Sequence, residues 1–172
     1  MKHQKGFTLV ELLVALGLVG IIISVVMSFF ITNIKSYEAI NIDSELQYQS
    51  QYIINFMTNK ILESKKIVSI NRVNSNLSNT TETGISYISF QYGTDDTICH
   101  NFEINSNKEI LYKDGAVGVT ADKVFGNHVE ELKITPISSS FEHTKSIEIY
   151  LKLQNGSKSY EAKQKVLMRN AE

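Results

Sequence analysis

The chain has 172 residues and a mass of 19.4 kDa, a length that suits one folded domain and leaves little room for two. Its 17 Lys and Arg against 18 Asp and Glu give a formal charge of −1, which excludes the basic footprint of a dedicated nucleic-acid binder. A single cysteine, Cys99, excludes an internal disulfide framework and a cysteine-rich zinc site. One proline, Pro136, and no tryptophan rule out proline-rich linkers and permit long uninterrupted helices. The mean hydropathy of −0.10 averages two unlike parts.

In the first 31 residues, Lys2 and Lys5 precede an apolar stretch from Phe7 to Ile31 whose one charge is Glu11. Those roughly 25 residues would rise about 37 Å as a helix, enough to cross a hydrocarbon core of roughly 30 Å. Positive charges at the start put that end in the cytoplasm and the remainder across the membrane. A secretory signal peptide would have a shorter apolar core and a small-residue cleavage site, where this chain has Phe29, Phe30 and Ile31. A carboxylate inside a spanning helix costs on the order of 2.5–3.5 kcal/mol at the centre and less near an end. A free amino group on Phe7, one helical turn before Glu11, would compensate that charge in the same chain or a packed neighbour. Such an amine exists only after a cut between Gly6 and Phe7.

The basic leader, Gly6, the run Phe7-Thr8-Leu9-Val10-Glu11 and the long apolar helix behind it resemble the processing signal of type IV pilins and of the pseudopilins of type II secretion and competence systems. The resemblance implies that a membrane prepilin peptidase cleaves after Gly6 and methylates Phe7, whose amine keeps its positive charge. It also implies that Glu11, the fifth mature residue, guides subunit docking. The implied partners are the prepilin peptidase, other pilins or pseudopilins of the filament, an inner-membrane assembly platform, and membrane lipid before assembly; no cofactor is implied. Loss of Lys2 and Lys5 lowers the 17 basic residues to 15 against 18 acidic ones, a formal charge of −3.

Many major pilins carry proline at the twenty-second mature position, where this chain has Ser28, so a smooth helix is expected. Gly17, Gly20, Ser24 and Ser28 form a stripe of small side chains suited to close helix packing in lipid. The alternative is a plain single-span membrane protein that keeps Met1 to Gly6, does not polymerise, and binds a ligand or partner through an external domain.

From Thr32 to about Val68 there is no Pro or Gly, and Ile34, Tyr37, Ile42, Leu46, Ile53, Phe56, Met57 and Ile61 recur at helical spacing. The helix is therefore expected to continue to about Val68, with Tyr48 and Tyr52 in core and rim packing. Glu63, Lys65 and Lys66 are expected on a solvated face. Residues 71–84, rich in Asn, Ser and Thr, read as an exposed loop. After Gly84 the period changes to two along Ile85–Phe90, Ile98–Ile104, Glu109–Lys113, Val129–Thr135 and Ile147–Leu153, the pattern of an antiparallel sheet. Asn155-Gly156 before Lys158–Leu167 is a hairpin signal.

The expected fold is thus α+β, a long amino-terminal helix packed on a carboxy-terminal antiparallel sheet. Its parts are a leader (1–6), a spanning helix (7–31), its amphipathic continuation (32–70), and a loop with the sheet (71–172). Segment 46–68 and the terminal KVLMRN are also similar to J-type pseudopilins and W-type minor pilins, which implies a minor subunit.

No glycine-rich phosphate loop, nucleophile elbow or dinucleotide fingerprint occurs. Of His3, His100, His128 and His143, only His100 has a soft neighbour, Cys99. Adjacent strand residues point to opposite faces, so these two would not share a metal ion. Cys99 is expected to be buried and the histidines solvated. Gly93, Thr94, Asp95 and Asp96 suit a turn better than a calcium site. Lys108, Lys113, Lys123, Lys133, Lys145, Lys152, Lys158, Lys163 and Lys165 are balanced by acids and would form a DNA-binding patch only if folding gathered them. The sequence thus reads as a structural part rather than an enzyme: a minor pilin or pseudopilin, anchored with its amino end in the cytoplasm and then moved into an external filament.

Overall fold

A computed structural model describes residues 8–93, 98–137 and 139–169. The chain divides into two compact units, Met1–Asn41 and Ile42–Glu172. Helix α1, Leu9–Glu63, is 55 residues long and contributes to both.

In the first unit the apolar side chains of α1 from Leu9 to Ile40 are exposed. The polar side chains among them bond to their own helix: Ser24 Oγ donates to the carbonyl of Ile21 (2.7 Å), Ser28 Oγ to Ser24 (3.0 Å), Thr32 Oγ1 to Ser28 (3.0 Å) and Asn33 Nδ2 to Phe29 (2.8 Å). Such back-bonding hides hydroxyl groups that lipid would leave unsatisfied. The helix passes Ser28 without a break, since serine keeps the backbone N–H that proline lacks.

In the second unit α1 buries Leu46, Ser50, Ile53, Ile54, Met57 and Ile61, a stripe at spacings of three and four. Helix α1 ends at Glu63, five residues short of the expected limit, and Lys66–Ile70 form strand β1. Two causes are visible. Ser64 closes the last turn, its N–H donating to the carbonyl of Ile61 (3.0 Å) and its Oγ to that of Lys60 (2.8 Å). Beyond it, the β-branched Ile67, Val68 and Ile70 favour extended backbone, and the Lys65 N–H donates to the Gln91 carbonyl (2.7 Å).

The remaining elements are a 3₁₀ turn, Asn74–Ser78, and strands β2 (Thr83–Gly84), β3 (Tyr87–Gln91), β4 (Cys99–Ile104), β5 (Ile110–Gly115), β6 (Lys123–Gly126), β7 (Val129–Pro136), β8 (Ser146–Asn155) and β9 (Lys158–Leu167). They form two antiparallel sheets rather than the single one expected. Sheet A has the order β1-β3-β4-β5-β6, and sheet B the order β2-β7-β8-β9. The change of sheet falls inside the run Ile85–Phe90. Ile85 N–H still donates to Leu132 of sheet B (2.8 Å), while the Asn71 side-chain oxygen accepts from the N–H groups of Ser86 (2.7 Å) and Tyr87 (3.1 Å). The segment 71–84, expected to be loop, therefore supplies the 3₁₀ turn, strand β2 and this clasp.

One apolar core joins the helix stripe to Ile88, Phe90, Phe102 and Ile110 of sheet A and to Leu132, Ile134, Ile147, Ile149, Leu151 and Val166 of sheet B. Strand β3 is buried at every position. Its far side is covered because Tyr87 Oη donates to Asn101 (2.6 Å) and accepts from the Gly118 N–H (2.8 Å), with the Arg72 guanidinium 4.6 Å over its ring. Gly126 in β6 passes so close to α1 that a Cβ there would lie 2.4 Å from Ile53 Cδ1 and 2.5 Å from its Cγ1. The β8–β9 hairpin forms as expected, one residue later: Asn155 pairs with Lys158, and Gly156 has φ +59°. Glycine suits that first position of a two-residue hairpin loop.

One expectation about α1 needs revision. Tyr48 is 72% exposed and takes no part in the core; Tyr52 sits at the rim, 49% exposed, its ring 6.4 Å from that of Phe56. Phe56 carries the packing instead, with ring centroids 5.0 Å from Tyr112 and 4.7 Å from Phe125.

Candidate functional site

The start of α1 is built by Thr8 and Glu11. The Thr8 Oγ1 accepts from the Glu11 N–H (3.3 Å), and the Glu11 carboxylate accepts from both the Thr8 N–H (2.9 Å) and the Thr8 hydroxyl (2.8 Å). This reciprocal capping box satisfies donors that a helix start leaves without partners, and the negative charge suits the positive end of the helix dipole. The signal Thr-x-x-Glu at Thr8 and Glu11 is legible in the sequence and pairs Glu11 with its own helix start as well as with a Phe7 amine. The two readings share one geometry: the carboxylate is already aimed at the backbone nitrogen that follows Phe7 in the chain. Gly6 and Phe7 lie outside the described residues, so the cleavage bond itself is known only by its sequence.

Gly17, Gly20, Ser24 and Ser28 lie on α1 in the first unit. A Cβ added at Gly17 or Gly20 would meet nothing within 4 Å, and both serine hydroxyls are turned onto their own backbone. Among the described residues, nothing explains these small side chains by packing. The helix is long and apolar enough to cross a membrane, by length and composition.

Residues 1–27 match the prokaryotic N-terminal methylation motif. That match supports a type IV pilin-like family and implies processing by a prepilin peptidase and assembly with other pilins. It spans Gly6, Phe7 and Glu11 and leaves the second unit unmatched. No curated protein and no solved structure showed a match to the chain. The motif and the apolar helix together fit a membrane location, and the pilin-like signal suggests a structural subunit rather than an enzyme.

In the second unit, Cys99 is buried as expected, but His100 is buried too, 1% exposed, against the expectation of a solvated ring. The two side chains point to opposite faces of sheet A, as alternation requires, and His100 pairs across the ladder with Asp114. Among the described residues no group of three or more His, Cys, Asp or Glu side chains could hold a metal ion. Thr94, Asp95 and Asp96 lie outside the described residues, as does His3.

Several lysines meet carboxylates: on strands, Lys133 with Glu131 (2.9 Å) and Glu82 (3.3 Å), Lys152 with Glu161 (3.7 Å), Lys165 with Glu148 (3.8 Å) and Lys113 with Asp122 (2.6 Å), and in the turn before β5, Lys108 with Glu130. Lys158 of β9 reaches Asp43 of α1 at 2.8 Å. Register gathers Lys133, Lys152, Lys163 and Lys165 on one face of sheet B, yet sets Glu131, Glu148 and Glu161 among them. The carboxylates so placed offset their charge.

Proposed function

We propose that the chain is a minor pilin or pseudopilin: a structural subunit cut between Gly6 and Phe7, methylated on Phe7, and assembled through its amino-terminal helix into a pilus, competence pseudopilus or secretion-type filament. The observation that carries this reading is the methylation motif over residues 1–27, with Glu11 held at the helix start where a new amine on Phe7 would arise. The precursor sits in the cell membrane by a single span, amino end cytoplasmic and second unit external. The assembly platform then moves it from lipid into the filament.

The driving logic is physical. In lipid the apolar helix is content, but Glu11 is costly. In a filament the helix exchanges lipid for other helices while Glu11 meets a positive amino terminus. Gly17, Gly20, Ser24 and Ser28 would then let neighbouring helices approach closely. Ser28 in place of proline, the lack of an internal disulfide and the J-type and W-type character of segment 46–68 support a minor rather than a bulk subunit.

A second reading draws on the capping box. Because Thr8 already satisfies Glu11 within the chain, an uncut single-span anchor would tolerate the carboxylate near the membrane edge. Filaments sheared from cells and analysed by peptide mass spectrometry separate the two. The proposal expects peptides of this chain in the filament fraction, lost from that fraction in cells without prepilin peptidase. A chain confined to the membrane fraction of peptidase-competent, filament-forming cells contradicts it.

A further inference from the structure

We propose that His100, Asp114 and Glu63 form a proton-operated latch between the end of α1 and sheet A, in which one proton taken up at His100 Nε2 turns its contact with Glu63 into a charged hydrogen bond.

The argument starts from the proton count. His100 Nδ1 lies 2.7 Å from Asp114 Oδ1 and 2.8 Å from Tyr112 Oη, while the Tyr112 hydroxyl donates to the same Asp114 oxygen at 2.5 Å. With the tyrosine proton committed to Asp114, Nδ1 must carry its own proton and donate it to that carboxylate. A neutral ring then has only a lone pair on Nε2. That atom is buried and, among the described residues, has no hydrogen-bond partner, and Glu63 Oε2 stands 3.6 Å away. A lone pair facing a carboxylate is a mismatch of two acceptors. One added proton removes it and leaves an imidazolium held by a carboxylate at each nitrogen, the stronger, charge-assisted kind of bond.

The moving part is also defined. The ring is clamped by Tyr92, stacked at 4.0 Å and 11°, whereas the Glu63 side chain is 60% exposed at the last residue of α1. Among the described residues, the charged and titratable groups facing His100 are Lys60 and Glu63 from α1, Tyr112 and Asp114 from β5, and Tyr92 from the segment after β3. Lys60 works against the latch, lying 3.7 Å from the Glu63 carboxylate. Burial holds His100 below the ordinary imidazole range, with Lys60 adding to it and Asp114 and Glu63 opposing. The latch therefore closes on the acid side of normal histidine titration.

The test is an NMR titration of the full chain in detergent micelles with isotope-labelled histidine. At neutral pH the ring of His100 should show the Nδ1–H tautomer, and its titration midpoint should fall below the ordinary imidazole value. Glu63→Gln should lower the proton affinity of His100 by about three-fold, the modest size fitting an exposed partner. Amide exchange at Ile61–Glu63 should slow as His100 charges, and this slowing should vanish in Glu63→Gln. Lys60→Met, which removes the competing cation, should raise the affinity. An Nε2–H tautomer at neutral pH, or a midpoint unmoved by Glu63→Gln, overturns the latch.

Discussion

Helix α1 carries isoleucine, leucine and valine along most of its length, yet its two portions treat them in opposite ways. Between Leu9 and Ile40 the large apolar side chains are all exposed, whereas Leu46, Ile53, Met57 and Ile61 are essentially inaccessible. The difference lies in what each portion has for a partner. From Ile42 onward the helix belongs to a unit with its own core and two sheets; before it, the apolar surface is far larger than a soluble monomer normally exposes and calls for lipid or other helices. The lesson is that one secondary-structure element serves two solvents, and that polar residues reveal which. In the first unit the exposed serines bond back to their own backbone, while in the second Ser50 is buried inside packed protein.

This contrast predicts that substitutions divide cleanly between assembly and folding. The largest effect is expected from Glu11→Ala, which should insert and be processed normally yet enter filaments poorly; quantitative immunoblots of sheared and membrane fractions would measure it. Normal incorporation would remove the docking role. Gly20→Leu should act in the same direction while leaving the unfolding of the second unit unchanged, because a Cβ there meets nothing within 4 Å among the described residues.

In the second unit the order of effects follows packing. Ile53→Ala should lower its stability by about 2–5 kcal/mol, read from denaturant unfolding in detergent. Gly126→Ala should cost about 1–3 kcal/mol through overpacking against Ile53. Neither should alter cleavage at Gly6.

Acid should separate the units further. Burial keeps the His100 pKa below its ordinary value. For Asp114, burial pushes the pKa up, but hydrogen bonds from Tyr112 and His100 and the nearby positive charge hold it lower still than an ordinary carboxylate. A lowered folded pKa means that the unfolded chain binds protons first, so both groups contribute stability that is lost as pH falls. For His100 the loss begins near the ordinary imidazole value, about 6.5, and continues to its lower folded pKa; for Asp114 it follows in the carboxylate range. The denaturation midpoint should therefore begin to drop as pH falls through the ordinary imidazole value of about 6.5, and His100→Gln should flatten that early part of the drop. The smallest effect is expected at the exposed Lys158–Asp43 pair, where Lys158→Met should change stability by no more than about 0.5 kcal/mol.

Much of this arrangement was legible in the sequence. Glu11 stood out because a lone carboxylate in an apolar run demands an explanation, and the hairpin at Gly156 followed from local turn chemistry. What escaped was whatever depends on pairing at a distance. Lys66–Ile70 reads as helix because no Pro or Gly breaks the run after the helical spacing of Ile53, Met57 and Ile61, and only the pairing of Ile67 with Phe90 makes it a strand. Strands β2 and β6 are too short to show a period. Strand β3 shows no inside–outside alternation because both of its faces are covered. His100 and Asp114, fourteen residues apart, become neighbours only through the β4–β5 register, which no local pattern announces.

The central claim is that the exposed apolar portion of α1 is the assembly surface of a processed subunit, and its most direct test is the mass of the amino terminus. Intact-mass and amino-terminal peptide spectrometry on protein from native membranes, with a peptidase-deficient strain as control, should find a chain beginning at N-methyl-Phe7 in the first and at Met1 in the second. A chain still beginning at Met1 in peptidase-competent cells would contradict the account and leave a plain membrane anchor in its place.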